Sequence, residues 1–536
     1  MGTDQRLTAS ALLCVLAACA PQTPAPSAPI AAASTATPIN CGDNAAACAE
    51  DESPAPGEAP RGTACQRGSA WQSGECAPLT CPEGSRQSSS GICERTRTKT
   101  QAETLNLSIQ TTEKAYHDSM FKDLELAVEL ARLQLLRDEK TNASDTDAAE
   151  ALRNAQRAAA TDASRPLSRL VLALVQARGM LDLMANKSPE ARGIQLRIFQ
   201  QLVESSLIQA SGPEAAAMHS LVGFIQLDLG NAAAAKASFL SALHEHPRFA
   251  AAELGLGDVA RASGDFGEAR SAYARCLSLD PQNPGAKLGL AAVQRGTRLK
   301  LEAAPELPAK IPTLDVEPLA DTKTTPNLCD ATAHKSTPAL CDALHDLEKA
   351  DTADRSAQAA RTVIDEVKAQ ACFAQQTRCD SYIRHALMEA AKAFSRGNDW
   401  AKTIIVSKVA LANPDFRAVH NEAFLLTADA YYRIGIANMA ANFYARYSEP
   451  TELGTRARLR GFLLLLIIAT PQAIRDEAKR LAKDRRIPGE TRRAVIDLGV
   501  LLQPGEARPK ALSPLGVAEG LSAILETPSW SPASSR

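Results

Sequence analysis

The strongest constraint in this 536-residue chain is an internal repeat with a spacing of thirty-four residues. Gly223 recurs as Gly257, Gly230 as Gly264, Ala235 as Ala269, Leu243 as Leu277 and Pro247 as Pro281, while Asn231 is answered by Asp265 and Phe239 by Tyr273. A period of that length fits a helical hairpin that cannot bury its apolar face alone and must stack on a neighbour. Gly223 and Gly257 let two helices approach closely, and Gly230 and Gly264 end a first helix in a left-handed turn. Ala235 and Ala269 fill a tight crossing, Phe239 and Tyr273 plug the space between hairpins, and Pro247 and Pro281 stop the second helix.

Apolar residues at three- and four-residue spacing carry the helical reading to both sides of the repeat, as in Leu124, Ala127, Leu130 and Leu133, and over Leu167 to Met184 and Ile194 to Ile208. Aromatic content of 4% with abundant alanine favours helix packing over β-sandwiches. A fainter recurrence follows: Gly397-Asn398 with Trp400, Ala401, Val406, Ala410 and Pro414, then Tyr431, Gly435, Ala440, Tyr444 and Pro450. Phe462 to Ala469 is too short to cross a membrane and reads as a buried helix segment. The expected fold is therefore all-α, a solenoid of helical hairpins in two blocks, 98–299 and 328–503. A proline-rich linker, 300–327, separates them in sequence. The tail, 504–536, mixes Pro, Ser and Gly, with only Val517 to Leu525 patterned as a short helix, and a loosely attached end is expected.

On these residues the chain resembles the tetratricopeptide repeat family, with 216–249 and 250–283 as two full units and Pro284 to Arg295 as a capping helix. His219 and Glu253 stand where the family prefers tryptophan, and Gln226 and Ala260 where it prefers tyrosine. Cys276 takes the small slot that Ala242 fills one repeat earlier and is expected to be a buried thiol. The resemblance implies a concave face lined by the first helices, toward which Phe224, Leu227, Asp228, Asp258 and Arg261 would project, and a protein or peptide partner in it. Without a ligand the same side chains would be ordinary surface. The Lys and Asn clamp that the family uses for chaperone C-termini is absent at these places, so that ligand is not implied.

Residues 1–18 read as an export signal, with Arg6 ahead of the apolar run Leu7 to Ala18. Leu16-Ala17-Ala18-Cys19 resembles the lipobox of bacterial lipoproteins, which implies cleavage before Cys19 and lipid attachment to its thiol. Residues 19–60 are a Pro-, Ala- and Ser-rich tether expected to be disordered. The implied place is the bacterial envelope, lipid-anchored, and Ala20 after the cysteine leans toward the outer membrane. Next comes a small module, 61–97. Cys65 through Cys76 and Cys81 through Cys93 are two similar loops with glycines at matching places, preceded by Cys41 and Cys48. With too little apolar surface for a core, such a segment in an exported chain is expected to be held by disulfides, locally paired among the possible connectivities. In the second block Cys329, Cys341, Cys372 and Cys379 bracket a hairpin. Cys341 with Cys372 and Cys329 with Cys379, or the local pairs Cys329 with Cys341 and Cys372 with Cys379, fit equally.

Chemical signatures are missing from the sequence. There is no nucleophile elbow, phosphate loop or zinc-protease motif, and the cysteine module contains neither a C-x2-C pair nor a histidine. His244 and His246 precede Pro247 at a helix end, where solvent-exposed histidines are common. Fifty-nine basic against sixty-one acidic residues give no field for nucleic acid. The expectation is a binding scaffold rather than an enzyme, with no cofactor, no metal and no small-molecule substrate, its partners being a protein and, through the lipid, a membrane. Two rivals remain at this stage: a cell-wall enzyme or enzyme regulator with its site in the second block, and a stalk whose cysteine module is an adhesive head.

Overall fold

Hairpin turns show most directly how this sequence dictates its structure. In the computed structural model, helices end on residues in the left-handed region at Gly230 (φ 76°), Gly264 (φ 85°), Gly296 (φ 69°), Asn398 (φ 58°) and Gly435 (φ 84°). In every case the following amide donates to the carbonyl five positions back: Asn231 to Gln226 at 2.8 Å, Asp265 to Ala260 at 2.9 Å, Thr297 to Ala292 at 2.9 Å, Asp399 to Phe394 at 2.8 Å and Ile436 to Tyr431 at 2.9 Å. That bond satisfies carbonyls a helix end leaves open. Asn231, Asp265 and Asp399 then cap the next helix by accepting from the amides of Ala234, Glu268 and Lys402. In the second block Asn398, not Gly397, takes the left-handed place, so the repeat there is one of geometry more than of residue type.

The structure describes the backbone of five short strands between Ala64 and Arg95 and residues 99–301 with short breaks. Beyond these it describes parts of 314–329, residues 337–501 with short breaks, and Gly520, Leu521, Ala523 and Ile524. The signal, Cys19, the tether, and the side-chain pairing of Cys41, Cys48, Cys65, Cys76, Cys81 and Cys93 lie outside the described residues, as does His334. All that is described belongs to the unit Gly57–Arg536.

The fold is all-α, built of stacked helical hairpins. The first block comprises α1 (Lys99–Asp118), α2 (Leu124–Thr141), α3 (Asp145–Thr161), α4 (Pro166–Met184), α5 (Pro189–Leu207), α6 (Gly212–Asp228), α7 (Ala232–Glu245), α8 (Ala250–Ser263), α9 (Phe266–Leu279) and α10 (Pro284–Gln294). The second comprises α11 (Pro338–Lys349), α12 (Ala353–Ala369), α13 (Ser381–Arg396), α14 (Trp400–Ala412), α15 (His420–Arg433), α16 (Ala437–Arg446), α17 (Glu452–Ile468), α18 (Pro471–Ala482) and α19 (Gly489–Leu501). Three two-stranded ladders accompany them. In the cysteine-rich module β2 (Ser69–Gln72) pairs antiparallel with β3 (Glu75–Pro78), and β4 (Ser85–Gln87) with β5 (Cys93–Arg95). The parallel pair β1 (Ala64–Gln66) and β6 (Arg298–Lys300) joins the module to the chain leaving α10.

First helices stack on first helices: α6 on α8, α8 on α10, and α13 on α15. Between the hairpins sit the aromatic plugs, each gripped by two glycines. A Cβ at Gly223 would stand 2.6 Å from the Phe239 ring, and one at Gly255 2.2 Å from it. Gly257 and Gly289 hold Tyr273 in the same way, at 2.5 and 2.3 Å. The rings fill the inter-hairpin space to its limit, leaving no volume for even a methyl group. Cys276 is buried and forms no disulfide. In α17 the residues Phe462 to Leu464, Leu466 and Ile467 are core, and no helix among the described residues is long and apolar enough to cross a membrane.

The two blocks, separated in sequence by the proline-rich stretch, lie side by side. Helix α5 packs on α15 and α17; Gln195 Nε2 donates to the Leu466 carbonyl at 2.7 Å and Gln176 Nε2 to that of Gly435 at 2.7 Å. Around α11 and α12 the cysteines pair locally, Cys329 with Cys341 (Cα–Cα 5.8 Å) and Cys372 with Cys379 (5.2 Å). The nested alternative is thereby excluded.

Candidate functional site

The first helices of both blocks present the face on which a repeat array of this kind would take a ligand, and in both blocks that face is covered by the chain itself. This corrects the expectation of an open groove. Phe224, Leu227, Asp258 and Arg261 are buried, and Asp228 is half-buried. Over Phe224 lies the C-terminal turn: a Cβ at Gly520 would meet the Phe224 ring at 2.0 Å, and Leu521 and Ile524 are wholly buried. The loosely attached end expected from composition does not extend to these residues, because an apolar pair three apart on a helical turn is removed from water when the turn docks.

Asp258 and Arg261 are held within the array. The Tyr273 hydroxyl donates to Asp258 Oδ1 at 2.7 Å, and Arg261 stands 3.9 Å from the same oxygen. Two of the positions that depart from the family pattern, Glu253 and Gln226, find polar partners of their own. Glu253 pairs with Arg275 at 2.9 Å, and Gln226 accepts from Ser238 at 2.8 Å. Burial holds the His219 imidazole below its ordinary range, against the pull of Glu245. His244 is exposed and His246 half-buried, consistent with a helix end. Among the described residues no group of acids, histidines and cysteines converges as metal ligands would.

The corresponding face of the second block carries a larger set of buried charges than the first. The Tyr444 hydroxyl donates to Asp429 at 2.5 Å, an aspartate and tyrosine fifteen residues apart just as Asp258 and Tyr273 are. Arg460 from α17 stands 3.5 Å from Asp429 and stacks over the rings of Tyr432 and Tyr444. Burial pushes the Asp429 carboxyl above the usual carboxylate range, while Arg460, the Tyr444 hydroxyl and the Ala320 amide work to keep it ionised. Nearby, Lys392 Nζ lies 3.0 Å from Glu389 and 2.6 Å from Glu422. Burial works to lower this ammonium, but the two carboxylates prevail and hold it above its ordinary range.

The described residues of the proline-rich stretch between Leu314 and Thr325 lie across this face as a strap. Leu314 N donates to Gln201 of α5 at 3.1 Å, Ala320 N to Asp429 at 2.7 Å and Thr325 N to Glu389 at 3.0 Å. The Thr325 hydroxyl donates to the other Glu389 oxygen, and Arg396 donates to the Thr322 carbonyl. Apart from the Thr325 hydroxyl, these carboxylates and the guanidinium bond to main-chain groups, which any peptide offers, while Leu319 and Ala320 are buried. The strap's contacts were not readable from sequence, since main-chain hydrogen bonds leave no residue signature. The aspartate-tyrosine spacing of fifteen, present in both blocks, was a usable signal.

Residues 225–284 match the tetratricopeptide repeat family. The match covers the Gly230 and Gly264 turns and both aromatic plugs, and it stops where α10 begins. No curated protein matches the chain. Among solved structures, the TPR domain of P58(IPK) is 14% identical, with 68% of this chain and 94% of that chain covered and a TM-score of 0.19. The assignment of the fold rests on the repeat geometry described above and not on that likeness.

Proposed function

We propose that this chain is a protein-interaction scaffold of the bacterial cell envelope, held to a membrane by lipid on Cys19 and serving the assembly of an envelope complex. The observation that carries the reading is the pair of inner faces, each covered by a peptide segment of the chain. A helical turn lies on Phe224, and a strap is held through its amides by Asp429 and Glu389. Faces that bind two peptide geometries within the chain have the chemistry to bind them from a partner. The envelope and the lipid are supported by Leu16-Ala17-Ala18-Cys19 and by the cysteine pairs in the second block, which belong to an oxidising compartment.

The test is photocrosslinking in intact cells from residues beside the covering segments, such as Asp228 and Arg396, followed by identification of what is captured. A reproducible envelope protein, lost together with palmitate labelling in Cys19→Ser, is expected. Capture of nothing beyond background, or hydrolysis of purified cell wall by the protein alone, overturns the scaffold reading.

A further inference from the structure

We infer that the C-terminal turn is a displaceable occupant of the first block's inner face, and that the site beneath it takes an amphipathic helix from a partner. That helix presents a glycine against Phe224 with aliphatic residues one and four positions later. The inference deepens the scaffold reading and rests on it.

Three observations define the ligand. At Gly520 the backbone approaches the Phe224 ring so closely that a Cβ would stand 2.0 Å from Cδ2. Only a residue without a side chain fits there, which gives the site one strict requirement. Leu521 and Ile524 are wholly buried and Ala523 nearly so, which supplies the aliphatic anchors of a helix lying in a groove. The floor is rigid: Phe224 packs edge-on against Phe239 at 4.9 Å, and Phe239 is itself clamped between Gly223 and Gly255. The face therefore keeps its shape whether or not the turn is seated.

The occupant, by contrast, has the makings of a removable one. Val517, Leu521, Ile524 and Leu525 are the apolar residues of a short stretch, and Glu519, Ser522 and Glu526 alternate with them. A helical turn as short as Gly520 to Ile524 is unstable by itself and holds its form only while docked. Far along the chain from α6, it behaves as a tethered ligand at high local concentration, and a partner helix must compete with it. A partner that binds α6 better than residues 520–524 do frees the tail, and one that binds worse is excluded.

The probe is a fluorescein-labelled synthetic peptide of residues 514–530, tested by anisotropy on three full-length or near full-length proteins: the native chain, Leu521→Asp with Ile524→Asp, and a chain ending at residue 513. Both opened proteins are expected to bind the peptide at least about tenfold more tightly than the native chain does, the factor lost when a competent state is minor. The same peptide carrying Gly520→Leu is expected not to bind. If neither opened protein binds the native peptide, or if the Gly520→Leu peptide binds equally well, the inference is overturned and the turn is a fixed piece of core. Because the probe comes from the chain itself, that result leaves the scaffold reading to stand or fall on crosslinking in cells.

Discussion

The inner faces of the two blocks solve the same packing problem with opposite chemistry. In the first, Tyr273 bonds Asp258, and the surface beyond is closed by an apolar turn resting on Phe224. In the second, Tyr444 bonds Asp429 in the same relative place, but Arg460 stands beside that carboxylate, Lys392 pairs with Glu389 on α13, and a strap closes the face through its amides. The shared tyrosine-aspartate bond belongs to the hairpin as a structural unit, whereas what lies outside it sets which ligand geometry the face accepts. An apolar face selects shape and side chains. A charged one selects main-chain groups and is insensitive to most of the sequence they carry.

Removing charge should separate the faces most sharply. Asp429→Asn leaves Arg460 without its buried counter-ion and is expected to lower stability by about 3–5 kcal/mol. Asp258→Asn, where Arg261 is 3.9 Å away, should cost less, about 1–3 kcal/mol. Urea melts of both variants check the order, and equal losses would break the contrast.

Glycine substitutions should reverse that ranking. Gly255→Ala drives a methyl group into the Phe239 ring and should cost about 1–3 kcal/mol, since the plug has a second glycine behind it and nowhere to move. At Gly461 a Cβ would stand 3.2 Å from Tyr444 Cβ and from the Ala441 carbonyl, so Gly461→Ala should cost less, because a shift of a few tenths of an ångström relieves it. Thermal unfolding of the two variants measured together would show it.

Tyrosine-to-phenylalanine changes probe the shared bond. Tyr273→Phe and Tyr444→Phe should each cost about 1–2 kcal/mol by leaving a buried carboxylate oxygen short of a donor. The loss is expected to be larger for Tyr444, whose hydroxyl also lies 3.4 Å from Arg460. The mildest effect is on alkaline stability. Burial pushes the Tyr432 hydroxyl up to about 12. The unfolded chain therefore gives up this proton first, near pH 10, and the folded state loses up to about 1.4 kcal/mol per pH unit from there upward. Tyr432→Phe should flatten that decline in denaturant melts taken between pH 9 and 11; an unchanged slope would show that the group is not the source.

How much of this was legible in the sequence depends on whether a feature repeats. Gly230, Gly264 and both plugs fall at one spacing, and each has the structural role that spacing implies, whereas the capping by Asn231 and Asp265 at the same spacing is seen only in the structure. Gly255 and Gly289 are also thirty-four residues apart and complete the grip on the rings, but the reading stopped at the first glycine of each pair. In the second block the left-handed residue alternates between Asn398 and Gly435, so turn geometry was conserved where residue identity was not. The strap and the C-terminal turn were read as linker and tail because proline and serine content reports poor helix formation and says nothing about docking. For the same reason Phe224 and Leu227, expected to face an open groove, are buried instead.

The two disulfides of the second block close loops of their own, with sequence separations of 12 and 7, instead of riveting α11 to α12. That hairpin is held by Leu340, Leu347, Val363 and Val367. A reductant reaching this region would therefore slacken the flanks of the hairpin one at a time while the helices stayed mated. The block's integrity is insulated from the redox state of its surroundings, and the flanks alone register it.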